Sequence, residues 1–131
     1  MAWSKPILVV DDDPVSCQLI SEILTEQGYD ADWATSTADA LVSVSQRDYR
    51  LVVTDVFMPG VGGTVLAWHL RHLRPDLPIL LVTAFPSQTT EADARALGVP
   101  LLAKPFVPDA LIERVRKLVG NGSGGDGDQS A

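Results

Sequence analysis

A small set of polar residues stands directly behind four apolar runs, and their types suit the handling of a divalent cation and a phosphoryl group. Ile7-Leu8-Val9-Val10 runs into Asp11-Asp12-Asp13, and Leu51-Val52-Val53-Thr54 runs into Asp55. Ile79-Leu80-Leu81-Val82 ends at Thr83-Ala84, and Leu101-Leu102-Ala103 ends at Lys104-Pro105. If the runs are parallel strands of one sheet, their carboxyl ends share an edge, where open α/β sheets place their sites. Two carboxylates about 4 Å apart repel by roughly 4 kcal/mol at an effective dielectric near 20. Three converge only if protonated, paired with Lys104, or bridged by a metal. Oxygen-only ligands favour Mg²⁺, Mn²⁺ or Ca²⁺ over zinc, and Mg²⁺ readily accepts phosphate oxygens. Asp55 can act as a nucleophile toward phosphorus, with Lys104 and the Thr83 hydroxyl as partners for the phosphoryl oxygens. Asp13 is read instead as a helix cap.

The elements that must position these residues alternate between apolar runs and helix-period segments, which predicts a parallel sheet with helices on both faces. Asp13 caps a first helix that has Pro14 at its first position. Leu19, Ile20, Ile23 and Leu24 form its predicted buried stripe, and Gly28 stops it. Ala31 to Ala34 reads as an edge strand, because Asp30 and Asp32 alternate with apolar residues. Ser36 or Thr37 opens a second helix carrying Ala40, Leu41 and Val44. A glycine-rich loop, Met58 to Gly63, keeps the chain clear of Asp55. The third helix is expected from about Thr64 to Leu73, with Leu66, Leu70 and Leu73 at helical spacing. A fourth covers roughly Thr89 to Leu97, and a fifth runs from Pro108 to about Val119. Val107 stands at the cap position of that fifth helix, although its side chain cannot bond the free amides. Residues 1–119 form one domain, and 120–131 read as a flexible glycine-rich tail or the start of a linker.

Composition narrows the function further. The 131 residues are 46% hydrophobic but only 6% aromatic, so aliphatic side chains must fill the core. The formal net charge of −7 argues against direct binding of nucleic acid, whose phosphates are met mostly by basic side chains. The apolar runs are too short to cross a membrane, and the first residues lack a secretory signal. Cys17 is the single cysteine, which leaves no internal disulfide and a spare thiol. The expected location is cytoplasmic.

Val9-Val10-Asp11-Asp12-Asp13, Val53-Thr54-Asp55-Val56-Phe57-Met58-Pro59-Gly60, Val82-Thr83-Ala84 and Lys104-Pro105-Phe106 occur in this order along Lys5 to Val119. In that set the chain resembles the receiver domain of bacterial two-component response regulators. The resemblance implies a doubly wound, flavodoxin-like α/β fold: a five-stranded parallel sheet in the order 2-1-3-4-5 with five flanking helices. It implies that Asp55 is the phosphoacceptor, taking a phosphoryl group from a histidine kinase or phosphotransfer protein. It assigns Mg²⁺, or Mn²⁺, to Asp11, Asp12, Asp55 and the backbone carbonyl of Phe57. The phosphoryl oxygens fall to Thr83, the backbone amide of Ala84, and Lys104. Such a domain is a signalling switch rather than an enzyme acting on outside substrates; it catalyses only its own phosphorylation and dephosphorylation. A downstream protein or dimer partner would meet the face of the fourth helix, fifth strand and fifth helix.

The chain departs from the family pattern at Leu101, the switch position three residues before Lys104, where members usually carry Tyr or Phe. Phe57 and Phe85 flank the phosphoryl site where many members have a polar residue, and two apolar rings there are expected to slow hydrolysis of the acyl phosphate. His69 and His72 are read as lying on a solvated face beside Arg71 and Arg74, with Trp68 as a contact residue. Two other readings compete. In a haloacid-dehalogenase-like phosphatase, Asp11 would be the nucleophile and Asp13 the general acid, which leaves Asp55 without a role. In a degenerate receiver, the chain would be a constitutive interaction module that gains no acyl phosphate.

Overall fold

The computed structural model describes residues 5–120. The strands are β1 (Ile7–Val10), β2 (Ala31–Ala34), β3 (Leu51–Asp55), β4 (Ile79–Thr83) and β5 (Leu101–Ala103). They alternate with α1 (Pro14–Glu26), α2 (Thr37–Gln46), α3 (Gly63–Leu73), α4 (Gln88–Leu97) and α5 (Pro108–Leu118). All strand pairs are parallel, and the order is β2-β1-β3-β4-β5. The continuous apolar runs are explained by burial on both faces of the sheet. Alternate residues feed two cores. Leu8, Val10 and Val52 face α2, α3 and α4, while Ile7, Val9 and Val53 face α1 and α5. The tail expected from 120 onward lies outside the described residues after Gly120. No helix among the described residues is long and apolar enough to cross a membrane.

Helix boundaries follow local chemistry. The Asp13 carboxylate accepts from the Val15 amide at 3.1 Å, and the Ser36 and Ser87 hydroxyls cap α2 and α4 in the same way. At the other end of α4, Gly98 takes a left-handed φ of 70°, where a side chain would be strained. Val107 caps α5 with no side-chain bond and is left exposed.

The expected burial of Leu19 is corrected, and Leu73 faces outward despite its helical spacing. Leu19 is 58% exposed and Leu73 is 57% exposed. On α1 the buried line is Cys17, Ile20 and Leu24, with Ile23 packed beside it. Leu19 falls past the edge of that stripe. Leu73, in the last residue of α3, lies beyond the part of the sheet that Leu66 and Leu70 cover. The spare thiol is a core residue.

The two arginines near His69 and His72 are tied into the fold. Arg74 Nη2 donates to the Val44 carbonyl at 3.0 Å. Arg71 donates to the carbonyls of Leu77 (3.1 Å) and Leu97 (3.2 Å), and at longer range to Pro75 and Gly98. It thereby joins α3 to the carboxyl end of α4 and to the approach of β4. Arg71→Ala is expected to destabilise the fold by about 2 kcal/mol, because carbonyls that accept from a charged donor lose it together. Urea unfolding checks this; a change below about 0.5 kcal/mol, the range of an ordinary surface substitution, would show the strap to be incidental. His69 and His72 are themselves exposed, with the His72 ring 4.1 Å from that of Trp68.

β2 forms one border of the sheet. There Asp32 accepts from Arg47 at 2.7 Å and from the Tyr49 hydroxyl at 2.8 Å. Burial and the bond to Asp32 push the Tyr49 pKa up to about 12.

Candidate functional site

The reversal in strand order falls between β1 and β3, and the acidic residues flank it. Asp11 and Asp12 follow β1, and Asp55 closes β3. Carboxylate oxygens of all three lie within 4.8 Å of one another. Asp11 is buried, Asp12 exposed, and Asp55 in between, so the pocket opens to solvent on the Asp12 side. Lys104 reaches across from the end of β5, its Nζ 2.9 Å from Asp11 Oδ2 and 3.6 Å from Asp55 Oδ1. A cis peptide joins Lys104 to Pro105.

The backbone fixes Asp55 from behind. The Val56 amide donates to the Val82 carbonyl, and the Gly63 amide donates to the Val56 carbonyl at 2.8 Å. Gly63 lies so close that a β-carbon there would collide with the carbonyl oxygen of Asp55. The following loop is held by Thr37, whose hydroxyl donates to the Val61 carbonyl at 2.7 Å. From the sequence Gly63 reads only as part of the loop clearing Asp55, and Thr37 only as a possible opening of the second helix; neither of these contacts is expected there. The Gly62-Gly63 pair at a helix start was the available signal for the first; Thr37 offered none.

Thr83 ends the neighbouring strand β4, fully buried, and its Oγ1 accepts from the Phe85 amide at 3.0 Å. The Lys104 amide donates to the Thr83 carbonyl at 2.7 Å, which ties the two strand ends together. Ala84 is exposed next to Lys104. Phe57 and Phe85 are both exposed and meet edge to face at 5.8 Å between centroids. Leu101 is partly buried against the α2–α4 core, and its carbonyl accepts from Arg114 at 3.2 Å. Asp13, the general acid of the phosphatase reading, has its carboxylate occupied by the Val15 amide and the Ser16 hydroxyl.

Burial pushes the Asp55 carboxyl above its ordinary range; the Lys104 ammonium pulls against this and the Asp11 charge adds to it. For Lys104, burial works against the charged form, but the bond to Asp11 and the charge of Asp55 outweigh it and the pKa rises. The folded chain holds the Asp55 proton more tightly than the unfolded chain, so ionising Asp55 costs stability, which returns as pH falls toward about 4. In chelator near neutral pH, Asp55→Asn is expected to raise the melting midpoint by about 4 °C, the effect of about 1 kcal/mol in a small domain. The gain should shrink at acid pH. Thermal melts across pH check it; a midpoint that falls in the variant would mean that the Lys104 attraction outweighs burial.

An open α/β sheet with carboxylates at its switch point and a lysine across from them defines a doubly wound domain with an acidic, cation-receptive pocket. The sequence signature described as Response regulator receiver domain matches residues 7–116, and the chain belongs to that family of two-component signalling proteins. It is 37% identical over 114 residues to the transcriptional regulatory protein ZraR of Salmonella typhimurium, covering 86% of this chain and 26% of that protein. Against TcrA of Mycobacterium tuberculosis, also a transcriptional regulatory protein, it is 36% identical, covering 86% and 45%. The chain thus spans less than half the length of these two relatives. Among solved structures, the response regulator TrrA of Thermotoga maritima in complex with Mg²⁺-BeF superposes with a TM-score of 0.80 at 36% identity, over 88% of this chain and 99% of that one. A CheY-like receiver domain from Methanospirillum hungatei gives 0.85 at 26% identity, over 89% and 94%.

Proposed function

We propose that the chain is a phosphorylation-dependent switch in which Asp55 takes a phosphoryl group from the phosphohistidine of a histidine kinase or phosphotransfer protein. The observation that carries this reading is the gathering of Asp11, Asp12 and Asp55 around one point, with the Lys104 ammonium within 3.6 Å of two of them. The donor set is all oxygen and fits a hard divalent ion, Mg²⁺ with Mn²⁺ as a substitute, held by Asp11, Asp12, Asp55 and the Phe57 carbonyl. Such an ion supplies positive charge against the carboxylates and the phosphoryl oxygens. An Asp55 carboxylate oxygen forms the new bond to phosphorus as the phosphorus–nitrogen bond breaks, and the departing imidazole keeps the electron pair. Lys104, the Thr83 hydroxyl and the Ala84 amide bind the oxygens of the transferred group. The transferred charge then shifts an existing equilibrium between conformations, by movements of α4 and β5, since the switch position Leu101 offers no ring to follow Thr83. We assign the downstream protein or dimer contact to the face of α4, β5 and α5.

The donor's route is supported by an apolar groove of about 630 Å³ between α1 and the loop before α5. Leu19, Ile23 and Phe106 line it, and it opens onto Ala84 and Lys104. A donor seated there would reach Lys104, whose Nζ lies 3.6 Å from Asp55 Oδ1.

The test is incubation with Mg²⁺ and acetyl phosphate, followed by mapping of the labile phosphoryl group. Incorporation on Asp55, abolished in Asp55→Asn, supports the switch. A group on Asp11 would favour the phosphatase chemistry, and no incorporation at all would leave a constitutive interaction module. The Phe57–Phe85 pair adds an expectation about lifetime. Phe57→Asn should hydrolyse its phosphoaspartate several-fold faster than the parent, because a polar amide can hold water where the ring excluded it. An unchanged or slower rate in a phosphoryl-decay assay would reject that shielding.

A further inference from the structure

Cys17 lies where it can set the aim of the acidic pocket. Its side chain is fully buried in the first turn of α1, below the end of β1. The Sγ donates to the carbonyl of Asp11 at 3.2 Å and lies 3.6 Å from the carbonyl of Ala34, at the end of β2. The Asp11 amide donates to that same Ala34 carbonyl at 3.2 Å. One thiol proton shared between two strand-end carbonyls therefore joins α1, β1 and β2 at a single point.

That point is the peptide linking Asp11 to Asp12. The plane of a peptide is rigid, so the direction of the Asp11 carbonyl fixes how the Asp12 backbone leaves it. The Asp11 carboxylate has separate anchors, the Asp13 amide at 3.0 Å on Oδ1 and Lys104 on Oδ2. Those anchors hold the side chain of Asp11. The thiol holds the main chain that carries Asp12, the exposed member of the cluster. Partners behind ligating groups set their orientation, and their removal weakens metal binding about 10- to 100-fold.

We propose that Cys17 is a positioning residue for the cation pocket: its S–H holds the Asp11–Asp12 peptide so that the Asp12 carboxylate meets those of Asp11 and Asp55. It touches neither the cation nor the phosphoryl group. The proposal rests on the reading that this pocket takes Mg²⁺.

The experiment compares Cys17→Val, which fills the space without a donor, with Cys17→Ser, which keeps a donor of similar size. Two readouts are taken against Mg²⁺ concentration: the shift in melting midpoint, and the rate at which Asp55 acquires phosphate from acetyl phosphate. The valine variant should need about tenfold more Mg²⁺ in both, with its maximal rate within about twofold of the parent. The serine variant should stay close to the parent. If the valine variant does not fold, Cys17→Ala removes the donor without overpacking and replaces it in the comparison. A parent-like Mg²⁺ dependence without the donor, or a serine variant as weak as valine, overturns the proposal, since packing alone would then explain Cys17. A parent whose melt does not respond to Mg²⁺ overturns both this proposal and the site reading. A parent that responds in the melt but takes no phosphate overturns only the phosphoacceptor reading, and the Cys17 comparison is then decided by the melts.

Discussion

Gly63→Ala is expected to destabilise the fold by about 3 kcal/mol, although alanine is the better helix former by about 1 kcal/mol. Gly63 is the first residue of α3, and its backbone abuts the end of β3. An added methyl group would strike the carbonyl oxygen of Asp55 and come within 3.1 Å of the Val56 α-carbon. Neither is the far end of a flexible side chain. Relief requires α3 to back away from the strand or the Asp55 peptide to turn. The first loses the packing of Leu66 and Leu70, and the second moves the candidate phosphoacceptor. Chemical unfolding measures the stability, and acetyl phosphate incorporation in the folded fraction measures the displacement. A variant as stable as the parent would show that the helix start has slack the geometry does not reveal.

Lys104→Met should act through charge. Its ammonium lies within 3.6 Å of both Asp11 and Asp55, and the Asp11 side chain is only 4% exposed. Removing one partner of a buried pair costs about 3–5 kcal/mol, and the low end applies because the Lys104 side chain keeps 24% of its exposure. In chelator the variant should lose about 3 kcal/mol. Mg²⁺ should restore more stability to it than to the parent, since no fixed cation then competes for the carboxylates. Phosphoryl incorporation should fall by about 10²-fold, as expected when a group stabilising developing charge is lost. Urea unfolding with and without Mg²⁺ separates the two effects. A variant that matches the parent in chelator would show that the three carboxylates tolerate one another without the lysine.

Much of this architecture is legible in the chain because strands buried on both faces leave continuous apolar runs, and the residue after each run must then stand at the sheet edge. That logic located Asp11, Asp12, Asp55, Thr83 and Lys104 before any coordinates, and it placed β2 at the border from its alternating aspartates. It could not say how wide a strip of each helix the sheet covers. Leu19 and Leu73 satisfy helical spacing and still face outward, because α1 and α3 meet the sheet along narrower lines than the count of apolar residues suggests. Arg71 illustrates a different limit. Its acceptors come from the loop before β4 and from the end of α4, residues that no local pattern connects to the arginine. Gly63 was seen as part of a clearing around Asp55, whereas its absent side chain makes room for backbone rather than for a ligand. Cys17 was counted as unattached because hydrogen bonds from a helix to carbonyls at the ends of β1 and β2 leave no trace in spacing.

The fixed charge at the sheet border bears on how such a module keeps company with copies of itself. An unpaired outer strand invites a strand from a second molecule to zip alongside it. Here Asp32, clamped by Arg47 and Tyr49, stands on that strand, so an incoming chain must bury or dislodge a carboxylate. The opposite border is only three residues long, too brief to template a ribbon. Copies crowded together are therefore hindered from zipping strand to strand along either border of the sheet.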